Sequence, residues 1–200
     1  MKILIGTNNE AKVKKYGIIL DELQIEYCTP KELNLKLEVE EIGKNSEENS
    51  KIKANAFYEA SGKMPVIVDD CSMVIDGLED NEQPGVFVRR YNGKRLSDEE
   101  WITKYSKIIK DLGGNSTGAF VIAISIVDEN GQMHTHVTRH DRYFVSTPCG
   151  ARTPGYPANS LIFDQETGKY LAEEYEGKRV YTGSKFERQD YEFIKSVLKK

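Results

Sequence analysis

Short apolar runs and helix-spaced apolar positions alternate along the first half of the chain. Residues 2–6 (KILIG) are an apolar run and predict a short buried strand. After the polar turn TNNE, Val13, Tyr16, Leu20 and Leu23 recur at helical spacing and predict a helix from about Glu10 to Leu23. A second helix is predicted to start near Asn45, a suitable N-cap, with Glu48 three residues on as in a capping box. Its inner face carries Ile52, Ala56 and Ala60. PVIVDD predicts an apolar strand ending at Asp69 and Asp70. Ser97 and Glu100 repeat the capping-box pattern and open a helix through Ile102, Tyr105, Ile108 and Ile109, stopped by Gly113-Gly114. Residues 118–127 and 132–145 read as strands joined by DENG, a hairpin, and a last helix covers about Glu187 to Leu198. This order predicts a mixed α/β fold with an elongated, partly antiparallel sheet.

At 200 residues, the chain predicts a single domain over 1–200, with room for two lobes. A net charge of −4 argues against a general nucleic-acid binder, which usually presents a basic face. It leaves room for a small phosphorylated ligand, which needs only a local basic pocket. No apolar run has the length of a membrane span, and the first residues lack the features of a signal peptide. The expectation is a cytoplasmic protein with no membrane partner. Cys28, Cys71 and Cys149 are far apart, odd in number and without zinc spacing, so they predict reduced thiols.

Four segments are candidates for chemistry. Thr7-Asn8-Asn9-Glu10-Ala11-Lys12 joins a strand to a helix, where free backbone N–H groups and the helix dipole favour phosphate and Lys12 adds a charge. The alternative is that Asn8 or Asn9 only caps the helix and Lys12 is solvated. Glu40-Glu41 and the charges of residues 47–53 are the second segment, where most of the carboxylates and lysines, taken one at a time, read as pairs on a wet helix face such as Glu47 with Lys51. Asp69-Asp70-Cys71-Ser72 places two carboxylates at the expected end of an apolar strand, where α/β sheets bind ligands, and magnesium takes such hard oxygen donors. An Asx turn is the competing reading. Pro84-Gly85 marks a turn, and Arg89 and Arg90 could reach a phosphate or a base, or pair with surface acids. For His134, His136 and His140, an exposed hairpin face outranks a metal site.

Taken in order, these segments resemble the inosine triphosphate pyrophosphatase family. Its T-x-N-x-x-K is matched by Thr7, Asn9 and Lys12, and its E-E-x-G by Glu40-Glu41-Ile42-Gly43. Glu48-Asn49-Ser50-Lys51-Ile52-Lys53-Ala54 follows its E-N-A-x-x-K-A, and Asp69-Asp70-Cys71-Ser72-Met73 its D-D-S-G-L. Residues 84–91, PGVFVRRY, follow its P-G-x-Y/F-x-x-R-Y. The resemblance implies an α/β fold of two lobes around a central cleft, usually a homodimer. It also implies magnesium-dependent cleavage of a non-standard nucleoside triphosphate to monophosphate and pyrophosphate. By position it makes Glu41 and Asp70 metal ligands. Asp70, with Asp69 beside it, serves catalysis. Thr7, Asn8, Asn9, Lys12, Lys53, Cys71 and Arg90 are substrate contacts.

The C-terminal half departs from the family. Tyr156-Pro157-Ala158-Asn159-Ser160 stands where the family carries F-G-Y-D-P, which puts Asn159 in place of an aspartate. Gly183-Ser184-Lys185 stands for S-H-R, with Lys178 or Arg179 for an upstream lysine. Asn159, Lys178 and Lys185 are therefore candidate substrate contacts. Asn adds a donor that Asp lacks, which predicts that inosine triphosphate is not the best substrate. The competing readings are a pyrophosphatase of another base class and a nucleotide-binding protein without turnover.

Overall fold

The computed structural model describes residues 2–91, 93–174 and 185–199, the side chains of 185–187 excepted. In chain order the elements are β1 (Lys2–Ile5), α1 (Glu10–Glu22), β2 (Glu26–Cys28), α2 (Ser46–Ala60) and β3 (Val66–Ile75). Then come β4 (Arg90–Tyr91), β5 (Lys94–Arg95), α3 (Asp98–Asp111), β6 (Asn115–Val127) and β7 (Met133–Val145). The last are β8 (Phe163–Asp164), β9 (Lys169–Tyr170), α4 (Leu171–Glu174) and α5 (Lys185–Leu198). The main sheet has the order β2-β1-β3-β6-β7. β1 is parallel to both β2 and β3. β6 and β7 are sheet neighbours joined by only residues 128–132, a link too short for anything but an antiparallel pair. The sheet is therefore mixed, as the patterning predicts.

The chain divides into two compact units, one made of residues 1–71, 121–138 and 183–200, the other of 72–120 and 139–182. In the first, the path from β1 to β2 runs one way along the sheet, and the path from β2 to β3 returns past β1. Right-handed crossovers then put α1 and α2 on opposite faces. The packing agrees. Val66 and Val68 of β3 pack with Ala54 and Phe57 of α2. Asp69, one residue on and so on the other face, meets Lys12 of α1. In the second unit, Trp101, Ile102, Tyr105 and Ile109 form the buried stripe of α3 and pack with Met73, Ile75, Phe144, Leu161 and Ile162. The Trp101 indole N–H donates to Val88 O at 2.9 Å, so burying this polar edge leaves no open donor.

Two expectations need correction. β3 does not end at Asp69-Asp70; it runs on to Ile75. Met73 and Ile75 alternate into the core of the second unit, so apolar burial beyond the polar residues carries the strand through them. The aspartates are mid-strand residues. The histidines do not form an exposed hairpin face. His134 Nε2 lies 2.9 Å from the Asp128 carboxylate, His136 stacks on Phe193 of α5, and His140 is buried. α5 meets β7 at His136 and Thr138, through Phe193 and Asp190, which the polar sequence of the strand does not show.

Candidate active site

Thr7, Asn8 and Asn9 form the turn between β1 and α1. Gly6 lets this turn close against α2, because a Cβ there would stand 2.6 Å from Val68 Cγ1 and 2.9 Å from the Phe57 ring. Thr7 Oγ1 accepts the Asn9 N–H at 3.2 Å, and Asn9 Oδ1 accepts the Ala11 N–H at 3.0 Å as the helix N-cap. Asn8 is exposed. The capping reading holds for Asn9. The solvated-lysine reading does not hold for Lys12, whose side chain is 20% exposed and whose Nζ lies 2.7 Å from Asp69 Oδ1.

Glu41 is placed by an extended segment whose burial alternates. Leu33, Leu35, Leu37 and Val39 face the core beside α2, and Lys36, Glu38 and Glu40 face solvent. The same period of two turns Glu41 inward and leaves Ile42 77% exposed. Gly43 then docks on the start of α2, with its N–H donating to Asn49 Oδ1 at 2.7 Å. A Cβ at Gly43 would lie 2.6 Å from that oxygen and 2.7 Å from Glu48 Cβ, so the E-E-x-G glycine is a close-approach residue. Asn45 caps α2 by accepting the Glu48 N–H at 2.9 Å. The Glu48 carboxylate accepts from Lys44 N–H rather than from Asn45 N–H, one residue off the expected box.

This cap and loop aim Lys53 and Glu41 at β3. Lys53 Nζ lies 2.6 Å from Glu41 Oε1 and 2.6 Å from Asp70 Oδ1. Asp70 Oδ2 is buried and has no hydrogen-bond partner among the described residues. Adjacent in sequence, Asp69 and Asp70 point to opposite faces and take their lysines from opposite helices. Burial drives the Asp70 carboxyl above the ordinary carboxylate range, against the pull of Lys53 and Lys12. Burial acts on Asp69 in the same direction, but the ammoniums of Lys12 and Lys15 outweigh it and hold this group below that range. Burial, partly offset by Lys12, pushes the Cys71 thiol up to about 12. Ion pairs taken out of water add little net stability, so a cluster of this kind points to function.

A second buried acid stands next to this cluster without belonging to any motif. Asp190 of α5 is 1% exposed, its Oδ2 lies 3.4 Å from Lys15 Nζ, and Thr138 Oγ1 donates to its Oδ1 at 3.4 Å. Its signal in the sequence is position: Asp190 precedes Ile194 by four residues, so a carboxylate lies on the helix's apolar stripe.

Among the described residues no group of three or more His, Cys, Asp or Glu is arranged to hold a metal ion. Glu41 and Asp70 do fit one as a pair. They are hard oxygen donors drawn onto one cationic centre, with a buried oxygen of Asp70 still open. Magnesium takes one or two carboxylates and completes its shell with phosphate and water.

In the second unit, Arg89 pairs with Asp98 at 2.6 Å and donates to Gly155 O at 2.6 Å, the structural alternative of the two readings. Arg90 is exposed in β4. Asn159 is buried in the short helical turn Pro157–Ser160. Lys178 lies outside the described residues, and so does the side chain of Lys185.

The model of the Ham1 family matches residues 3–178. The chain belongs to the Ham1 family. The Ham1 match covers the turn at 156–160 but stops before Gly183-Ser184-Lys185. A dITP/XTP pyrophosphatase of Leptospira interrogans is 36% identical over 131 residues, so the chain spans 64% of that relative's length and the match covers 64% of this chain. Longer matches are to proteins of the same name from Geobacter sulfurreducens, 30% identical over 86% of this chain and 84% of that protein, and Campylobacter jejuni, 32% identical over 86% of each. Solved Ham1 proteins share the fold. The Coxiella burnetii protein superposes with a TM-score of 0.77 at 22% identity, and the Staphylococcus aureus protein with 0.73 at 24%, each covering 98% of this chain and 99% of its own. The family resemblance carried by the motifs is borne out. Among the described residues no helix is long and apolar enough to cross a membrane.

Proposed function

We propose that this Ham1 protein hydrolyses a non-standard or modified nucleoside triphosphate to the nucleoside monophosphate and pyrophosphate. The observation that carries this reading is the Glu41–Lys53–Asp70 cluster, with its two 2.6 Å contacts and the open, buried Asp70 Oδ2. The names of the relatives, dITP/XTP pyrophosphatases, support the reaction class. Glu41 and Asp70 hold a divalent cation, with magnesium favoured by the hard oxygen donors. When bound, the ion polarises the reacting phosphate and offsets the charge that builds on it. Asp70 accepts a hydrogen bond from the attacking water and takes its proton, a role suited to a carboxyl whose affinity for protons is raised by burial. Asp69 fixes Lys12, and Lys12 and Lys53 hold the polyphosphate with Thr7, Asn8 and Asn9. Holding the phosphates in line is most of what such a site has to supply. Cys71 stands beside the reacting groups. Arg90, Asn159, Lys178 and Lys185 serve the rest of the nucleotide.

The departures at 156–160 and 183–185 support a base preference shifted away from inosine. A homodimer completes the reading, on the resemblance alone. The test is pyrophosphate release from a panel of standard and non-standard nucleoside triphosphates with magnesium. A non-standard base should lead, inosine triphosphate should follow, and Asn159→Asp should raise the inosine share. Equal turnover of all standard nucleotides, or no pyrophosphate from any substrate, would overturn the proposal.

A further inference from the structure

Lys53 links two carboxylates that would repel each other without it. Its side chain is only 16% exposed, and its four-carbon stem brings the ammonium to 2.6 Å from both Glu41 and Asp70. A divalent cation held by the same two carboxylates needs the same ground. An ammonium and a metal ion crowded onto these oxygens would repel strongly in a site this sheltered from water. We propose that Lys53 is a resident counter-ion, which holds Glu41 and Asp70 in the nucleotide-free protein and is exchanged for the divalent ion when nucleotide binds. This inference rests on the reading of Glu41 and Asp70 as metal ligands.

The exchange gives Lys53 two successive partners. Before binding, it neutralises a buried carboxylate and a half-buried one. As the ion takes them, the ammonium swings on its flexible stem to the polyphosphate, which supplies the negative charge it has lost. Two consequences follow. The free protein binds the ion weakly, because the ion must displace an ammonium that has nowhere else to go. Nucleotide and ion bind cooperatively, because the phosphates receive the displaced lysine, and the coupling is reciprocal. The cluster thereby resists loading with metal until substrate is present. The Asp70 Oδ2, buried and without a partner among the described residues, is the oxygen left open for the incoming ion.

The test uses manganese as the probe on the full, nucleotide-free chain, with binding read from the free-ion electron paramagnetic resonance signal. Lys53→Met and Lys53→Gln should bind manganese at least about tenfold more tightly than wild type, a difference of roughly 1.4 kcal/mol. Asp70→Asn should remove manganese binding in either background. The melting temperature supplies a second readout: manganese should raise it more in the Lys53 variants than in wild type, and should restore a fold to any variant that lacks one without the ion. If Asp70→Asn removes manganese but the Lys53 variants bind it no more tightly than wild type, the exchange is wrong and the ligand reading stands. Manganese binding that survives Asp70→Asn overturns the ligand reading itself. Variants that manganese neither binds nor folds overturn both.

Discussion

At the residue scale, alternation along β3 decides which acid does what. Asp69 faces α1 and is neutralised by Lys12; Asp70 faces α2 and meets Lys53 and Glu41. Neighbours in sequence therefore differ in proton affinity, Asp70 driven up by burial and Asp69 held down by its lysines. Cys71 follows them and shares their surroundings. Its thiol is pushed up to about 12 by burial, so near pH 8 roughly one part in 10⁴ is thiolate, against about a quarter for an unperturbed thiol. Iodoacetamide should label Cys71 at least about a thousandfold more slowly than a free cysteine at pH 8, and the rate should still be climbing at pH 10. Mass spectrometry of the labelled peptide reads this directly. Labelling that reaches a plateau near pH 8 would mean that the thiol is not held in the protonated form.

At the element scale, the site depends on how α2 begins. Asn45 caps the helix and Gly43 packs on its first turn, so together they fix the loop that carries Glu41 and the helix that carries Lys53. Asn45→Ala should cost about 1 kcal/mol of stability in urea denaturation. Gly43→Ala should do more harm to function than to fold, because the loop must lift off Asn49 and take Glu41 with it. Its expected signature is weakened metal binding at a melting temperature close to wild type. Metal binding equal to wild type would show that Glu41 does not depend on this contact. The helix caps at Asn45 and Ser97, the hairpin at Asp128 and the stop after α3 are all legible in the sequence, because each follows from a short-range rule. Glu41 is legible as well, once the alternation of Leu33, Leu35, Leu37 and Val39 is extended to it. The continuation of β3 through Asp69-Asp70-Cys71-Ser72 is not, because it depends on Met73 and Ile75 finding a core built by distant segments. The cover over His136 is hidden for the same reason, since Phe193 of α5 lies far away in sequence.

At the scale of the whole molecule, a chain of net charge −4 gathers three lysines, Lys12, Lys15 and Lys53, in one compact unit, each paired with an acid. The acids hold the ammoniums in place and spare the protein an open basic patch that would attract nucleic acid. A triphosphate and its ion then compete for partners that already exist. The most direct measurement of this account is phosphorus NMR of dITP turnover with magnesium, run on wild type and on Asp70→Asn. Wild type should yield the monophosphate and pyrophosphate in equal amounts. Asp70→Asn, melting within a few degrees of wild type, should be slower by at least about a hundredfold. Release of orthophosphate with a nucleoside diphosphate, or a folded Asp70→Asn protein with near wild-type turnover, would contradict it.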